Sequence, residues 1–376
     1  MAYNPASKKI LFLPFLQIPS GHHQVAAALM ETINKEIETE KVDLLSYSYG
    51  KLEKFISAIY LKWIHSFPSL YNLIYKFSVC QNRSQSKRFP LYEILFMPFM
   101  KRLLKESNPD FIICTHALPS YLLNQIKERH GLKVPVLNIY TDYFIHDIWG
   151  IKHIDHHFVP SEIQKQFLLK LGVRAEQIYL TGIPVHLDIR ESSNVMFAPV
   201  NPALLNILVS GGSLGAGELE KLINKLQECS AAHFYVLCGK NKGLYKKLSE
   251  RKWSNIFPLE YISCRKKMNA LYESMDAVIS KPGGVTVSEC LHKRKPMFVY
   301  HSLPGQEKIN VENLKKLGLV FSMENWKKLS SIENELQNIL KDPVQFNSFH
   351  NRVDFYHEQL HPHHPSKIVE DLLVKR

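Results

Sequence analysis

The sequence predicts an α/β protein of two domains, and three observations carry that expectation. A largely apolar run at residues 275–279 leads into Ser280-Lys281-Pro282-Gly283-Gly284, and an apolar stripe compatible with a helix (Val285, Val287, Cys290, Leu291) follows it. A second strand–turn–helix junction stands at residues 204–226, where Ser210-Gly211-Gly212-Ser213 precedes a helix carrying Leu219, Leu222, Ile223 and Leu226. A chain of 376 residues also has length for two cores.

The other elements follow in chain order. Residues 9–15 read as the first strand, and His22 opens a helix with apolar positions Val25, Ala28, Leu29 and Ile33. His22 therefore stands where a strand hands over to a helix, which is where ligands bind in open α/β sheets. Residues 41–46 read as the second strand, 110–115 and 134–141 as later ones, with a helix at 118–129 between them. Residues 156–159 read as a strand entering a helix capped by Ser161, with Gln164 three residues on. Residues 190–202 read as the linker, 233–238 and 253–259 as further strands, and 366–374 as a closing helix. The domain expectation is 1–190, 203–360 and a final helical segment at 361–376.

The glycine pair Gly283-Gly284 at a helix start forms an anion site, because backbone N–H groups and the helix dipole favour negative charge there. Glu289, over one turn later, is placed to accept hydrogen bonds from sugar hydroxyls, and Gln306 and Glu307 offer an amide and a carboxylate on the next loop. Together these suggest a nucleotide and a hydroxyl-rich ligand. Two plainer readings stay open from the residues alone: a structural turn, and a capping box formed by Thr286 and Glu289.

Composition narrows the partners. The apolar and charged fractions, 45% and 22%, are those of a globular protein. Net charge is +12, and residues 51–105 hold ten Lys/Arg against Glu53 and Glu93. The same segment carries eleven aromatic residues, with Ile56, Tyr60, Trp63 and Phe67 at helical spacing. Such a mixture fits an interfacial element whose rings enter the headgroup region while cations meet anionic lipid. Lys51, Lys54, Lys62, Trp63, Arg83, Lys87 and Arg88 are its candidate contacts. Nucleic acid is the other anionic partner considered, but no nucleic-acid-binding motif accompanies the charge. The six cysteines are scattered without a C-x-x-C, which fits a reduced, cytoplasmic protein. No signal peptide and no run of about 18 apolar residues is present. Neither the pair His156-His157 nor the cluster His361, His363 and His364 has the partners of a recognised metal site.

The stretches KPGGVTVSE and LPGQEKINVENL resemble the donor-site signature of the processive diacylglycerol glucosyltransferases and monogalactosyldiacylglycerol synthases of glycosyltransferase family 28. The likeness recurs at Ser20-Gly21-His22, at residues 141–149 and at Thr181-Gly182-Ile183-Pro184. It implies the GT-B architecture, two Rossmann-like domains facing each other across a cleft. It implies an inverting transfer of a hexose from a UDP-sugar to a lipid acceptor, most naturally diacylglycerol, on the inner face of the cell membrane. His22 matches the family's Gly-His base, with a single preceding glycine here. Asp142 is then placed to orient His22 or bind acceptor, and Tyr143 and Trp149 fall on the acceptor side. Gly211, Gly212 and Ser213 would face the diphosphate, Ile262 the uracil, and Lys281, Gly283, Gly284, Val285, Thr286 and Glu289 the remaining nucleotide. Gln306 and Glu307 would read the sugar. No metal or other cofactor is expected, since preorganised backbone donors can take the diphosphate charge.

Overall fold

The computed structural model describes residues 8–15, 21–50, 88–190, 204–211, 218–303 and 305–374. Its internal contacts separate into two units, Met1–Pro184 with Leu360–Arg376, and Val185–Gln359.

The first unit holds one parallel sheet of β1 (Lys9–Leu13), β2 (Glu38–Lys41), β3 (Phe111–Cys114), β4 (Val136–Ile139), β5 (His156–Val159) and β6 (Ile178–Leu180), in the order β2-β1-β3-β4-β5-β6. Its central strands are apolar at successive positions because both faces are covered; Ile10 through Leu13 and Phe111 through Cys114 are fully buried. Ile10 lies opposite Phe111 and Leu13 opposite Cys114, so β1 and β3 end side by side. The strand order reverses between them, and the helix α1 (Gly21–Thr32) begins at that reversal.

The second strand falls earlier than the sequence reading placed it. β2 is the polar edge segment Glu38–Lys41, bridged by Lys9 Nζ to Glu38 at 3.1 Å and Glu40 at 3.0 Å. Residues expected to continue it form the helix α2 (Leu44–Tyr49), because Asp43 caps them: its Oδ1 accepts from the N–H groups of Leu45 and Ser46 at 2.9 and 3.1 Å. Among the described residues, the remaining α-helices before the sheet's last strand are α3 (Pro90–Ser107), α4 (Ala117–His130) and α5 (Glu162–Lys170). Ser161 does precede α5, but its hydroxyl donates to the side chain of Gln164 and makes no cap bond to the helix backbone.

The second unit starts with a short helix, α6 (Leu187–Arg190), which packs against two helices of that unit, α9 (Arg265–Glu273) and α10 (Gly284–His292). The chain therefore divides after Pro184, earlier than residue 190. The second sheet comprises β7 (Leu205–Ser210), β8 (Ala232–Leu237), β9 (Ile256–Leu259), β10 (Ala277–Ser280), β11 (Met297–Val299) and β12 (Phe321–Ser322), in the order β12-β11-β10-β7-β8-β9. Counted within the unit this is the Rossmann order, and it reverses between β7 and β10. α7 (Leu219–Leu226) buries Leu219, Leu222, Ile223 and Leu226 against the sheet. Full burial of one such side chain stabilises by about 1.5–3 kcal/mol. α8 (Lys242–Arg251), α11 (Gln306–Leu317), α12 (Ile332–Leu340) and α13 (Pro343–Gln359) complete the unit.

After Gln359 the chain returns to the first unit. The N–H of His361 donates to the carbonyl of Leu180 at 2.7 Å, and α14 (Pro365–Val374) packs against α1. Glu370 accepts from the N–H of Asn34 at 2.9 Å, and Lys8 Nζ donates to the Leu373 carbonyl at 2.5 Å.

Candidate active site

In the first unit the chemistry gathers at the reversal between β1 and β3. His22, in the first turn of α1, sets Nδ1 2.8 Å from the carbonyl oxygen of Thr115, just past β3. The same nitrogen lies 2.8 Å from Thr141 Oγ1, past the end of β4. A carbonyl only accepts, so Nδ1 carries the ring proton and Nε2 keeps its lone pair. Burial holds the His22 pKa below its ordinary value. The nearby Asp142 carboxylate and the Thr115 bond pull the other way, and His23 adds to the lowering. The neutral ring is therefore the resting form at neutral pH, with a basic nitrogen available.

Two further imidazoles stand around it. His116 caps α4, its Nδ1 accepting from the N–H of Leu118 at 3.2 Å, so its proton sits on Nε2. Its ring meets His22 edge to face at 4.8 Å and stacks on Phe15 at 4.9 Å. Burial and then the neighbouring rings of His22, His146 and His23 hold it well below the ordinary range. Burial takes His146 down to about 3, with a smaller push from His22. His116 was not singled out from sequence; the available signal was its place after a fully apolar strand and before a helix, the same position that marked His22. His23 faces elsewhere, with Nε2 3.3 Å from Asp43 Oδ2 beside the α2 cap.

Two residues expected on the acceptor side are instead core residues. Tyr143 is fully buried, with Gln164 Nε2 donating to its carbonyl. Trp149 sits in the main core with its ring edge-on to Tyr140 at 4.6 Å. The segment after β4 is pinned at Gly150, whose carbonyl accepts from Asn138 Nδ2 at 2.7 Å and whose N–H donates to Ser120 Oγ at 3.1 Å. Arg88 is also committed: it donates through two nitrogens to Glu93, at 2.8 and 3.3 Å. Arg129 and Tyr121 share that carboxylate. The Arg88 bond, with Tyr121 and Arg129, overcomes burial and takes Glu93 down to about 2. Lys51, Lys54, Lys62, Trp63, Arg83 and Lys87 lie outside the described residues.

In the second unit the corresponding reversal, between β7 and β10, carries the glycine turns. Gly211 is buried directly after β7, and Gly212 and Ser213 lie outside the described residues. β10 ends at Ser280 and Lys281 follows it, both buried. Gly283 is the N-cap of α10, with the N–H of Val287 closing onto its carbonyl at 3.0 Å. This places Thr286 in the first turn and Glu289 well past it, so the two form no capping box. One donor expected at the anion site is spent, since the Gly283 N–H bonds the Lys281 carbonyl at 2.9 Å. The N–H groups of Gly284, Val285 and Thr286, in the first turn, have no acceptor within the helical ladder. The buried amide of Asn310, from α11, donates to the Pro282 carbonyl at 3.4 Å and steadies the turn. Gly283 has an ordinary φ of −69°, and a Cβ built on it meets nothing within 4 Å. Neither backbone strain nor packing calls for glycine there; the turn presents bare backbone to open space.

Glu289 is buried, and Tyr272 donates its hydroxyl to Oε2 at 2.8 Å. Burial raises its pKa, against the Tyr272 bond and the positive fields of Arg265 and His186. Ile262, half-buried, lies on the connection between β9 and α9. Gly305, at φ 92°, is the N-cap of α11 and needs glycine's freedom. Glu307 turns Oε2 back to the Leu303 N–H at 2.6 Å and so closes its own loop, while Gln306 is half-buried in the first turn. His301, past β11, is held below its ordinary pKa by burial and then by Lys281; Glu218, Glu307 and Glu324 pull the other way. No group of three or more His, Cys, Asp or Glu among the described residues is arranged to hold a metal ion.

Residues 22–185 match the monogalactosyldiacylglycerol (MGDG) synthase family, and residues 206–353 match the glycosyltransferase family 28 C-terminal domain. A Bacillus subtilis (strain 168) protein described as the uncharacterized glycosyltransferase YkoN is 40% identical over 350 residues, 93% of each chain. A processive diacylglycerol beta-glucosyltransferase of Bacillus mycoides (strain KBAB4) is 30% identical over 313 residues, 80% of this chain and 78% of its own. Among solved structures, Acinetobacter baumannii MurG superposes with a TM-score of 0.62 at 14% identity, over 98% of this chain and all of its own. The glycotransferase of kitacinnamycin superposes with a TM-score of 0.63 at 13% identity, over 99% of each. The chain belongs to glycosyltransferase family 28, and its two parallel sheets are those of the GT-B fold.

Proposed function

We propose that this glycosyltransferase moves a hexose from a UDP-sugar to the hydroxyl of a lipid acceptor, diacylglycerol, with inversion at the anomeric carbon. The observation that carries the reading is the tautomer of His22: with its proton held by the Thr115 carbonyl, the other ring nitrogen is a base. In this reading Nε2 takes the acceptor's hydroxyl proton as its oxygen forms the bond to the anomeric carbon. The bond from that carbon to the phosphate oxygen breaks, and its electron pair leaves with UDP. The first-turn N–H groups of α10 and the buried Lys281 take up the charge on the departing diphosphate without a metal. Glu289 receives the ribose, and Gln306 the hexose. Glu307 contributes mainly by closing the loop that carries Gln306.

The lipid acceptor is supported by the diacylglycerol named in the description of the Bacillus mycoides relative. A surface feature supports a peripheral membrane position. α3 exposes Leu91, Ile94, Leu95 and Pro98 at positions that share one helical face, and exposed Lys101 and Lys105 follow on later turns. No helix among the described residues is long and apolar enough to cross a membrane. A face of this kind fits the headgroup layer of an anionic inner leaflet better than nucleic acid.

The test is transfer of label from UDP-glucose and from UDP-galactose into vesicles containing diacylglycerol, with the product's anomeric configuration read by NMR. A β-linked glycolipid is the expected product. Turnover of a polyprenyl-linked or soluble aglycone alone would reject the acceptor while keeping the chemistry.

A further inference from the structure

We infer that Tyr272 is a positioning residue that fixes Glu289 for recognition of the nucleotide's ribose, so that it sets the preference for ribose over deoxyribose. The inference rests on the donor-site reading above, in which Glu289 meets the ribose.

Tyr272 comes from α9 and Glu289 from α10, and both are buried, at 2% and 7% exposure. The 2.8 Å bond from the Tyr272 hydroxyl occupies Oε2. That bond engages Oε2 and leaves Oε1 outside it. The two oxygens are thus inequivalent: one is anchored to the protein and the other is left to a ligand. A carboxylate that gives up hydration needs replacement hydrogen bonds, or it protonates and rotates. Tyr272 supplies the replacement and works against the rise in pKa that burial imposes, with Arg265 and His186 acting in the same direction. An ionised carboxylate held in one rotamer accepts from a vicinal diol in a fixed geometry. Released, it would lose that discrimination while the diphosphate contacts at the α10 N-terminus stayed intact.

The experiment compares the dissociation constants of UDP and 2′,3′-dideoxy-UDP by calorimetry at neutral pH. The proteins are wild type, Tyr272→Phe, Glu289→Gln and the double variant. The wild type should prefer UDP. Tyr272→Phe should weaken UDP by about tenfold to a hundredfold, as expected for a lost hydrogen bond to a charged group, and should leave dideoxy-UDP unchanged. The double variant should bind no worse than Glu289→Gln alone, because Tyr272 acts through that carboxylate. The ratio of two affinities within one variant does not depend on its folded fraction, so partial unfolding of Tyr272→Phe does not obscure the result. Equal weakening of both nucleotides, or a preference kept in full by Tyr272→Phe, overturns the assignment. Failure of the donor reading looks different: wild type and Glu289→Gln would then bind the two nucleotides alike, and both proposals would fall.

Discussion

The imidazole of His22 is locked to the backbone of Thr115 by a 2.8 Å contact that joins the first turn of α1 to the end of β3. The contact spans the strand reversal of the first sheet and decides which ring nitrogen is basic.

Replacing His22 by Ala should lower kcat by at least about a hundredfold, the usual lower bound for losing a general base, with little change in UDP affinity. The base works deprotonated, so activity should climb as pH rises through its pKa. That pKa lies below the ordinary 6.5 because burial disfavours the charged ring. The ascending limb of kcat against pH should therefore fall below 6.5 in wild type and vanish in the variant. Near-normal turnover of His22→Ala would transfer the role to Asp142.

His23→Ala should behave oppositely. Its ring is spent on Asp43, 3.3 Å away at the α2 cap. Turnover should persist while unfolding shifts by about 1 kcal/mol or less, as for a partly exposed pair. Denaturant midpoints and kcat on the same preparation separate the two effects.

At the donor site, Glu289→Ala should weaken UDP by about 1–3 kcal/mol through lost hydrogen bonds to a charged group. Gln306→Ala should spare UDP and impair turnover of the UDP-sugar. Calorimetry with UDP beside steady-state rates distinguishes them, and equal losses for both ligands in Gln306→Ala would contradict its assignment to the sugar.

Glu93 predicts an acid limb in stability. Its folded pKa is about 2 against an ordinary 4.5. A depressed carboxylate stabilises above its unfolded pKa and loses that contribution as pH falls through the folded one. Glu93→Gln should therefore cost about 1–2 kcal/mol at neutral pH, allowing for solvent screening of its ion pairs. The gap to wild type should narrow between about pH 4.5 and 2, measured as urea midpoints across that range.

Gly150→Ala tests the fold beneath the acceptor side. A Cβ there would meet Asn124 Cβ and the Ser120 carbonyl oxygen, both at 2.5 Å. Backbone cannot swing aside as a side chain does, so the variant should lose about 1–3 kcal/mol of stability. An unchanged denaturation midpoint would show that β4's following segment has more room than the structure gives it.

The sequence exposed those parts of the molecule whose signal is local. Strands such as β1 and β10 are short apolar runs, and the glycine turn after β10 ends in a helix whose apolar face is readable; both identify the two site-bearing strand ends. What stayed hidden depends on partners distant in sequence. Whether residues 41–46 continue a strand is decided by Asp43 turning its carboxylate onto two backbone N–H groups. Tyr143 and Trp149 look like ligand-facing aromatics along the chain, but tertiary packing buries both. Nothing along the chain links Thr115 to His22 or Tyr272 to Glu289. The spent N–H of Gly283 is a matter of turn geometry that the letters Gly-Gly do not specify.

The return of α14 to the first unit also orders events at the ribosome. Residues 185–359 are synthesised as one continuous stretch and can close their sheet as soon as they emerge. The first unit, although translated earlier, lacks the segment that meets Leu180, Asn34 and Lys8 until the last helix appears. The packing of α14 on α1 forms only after that helix has been made. Domains usually mature from the N-terminus onward as they are made; here the half made first is finished last.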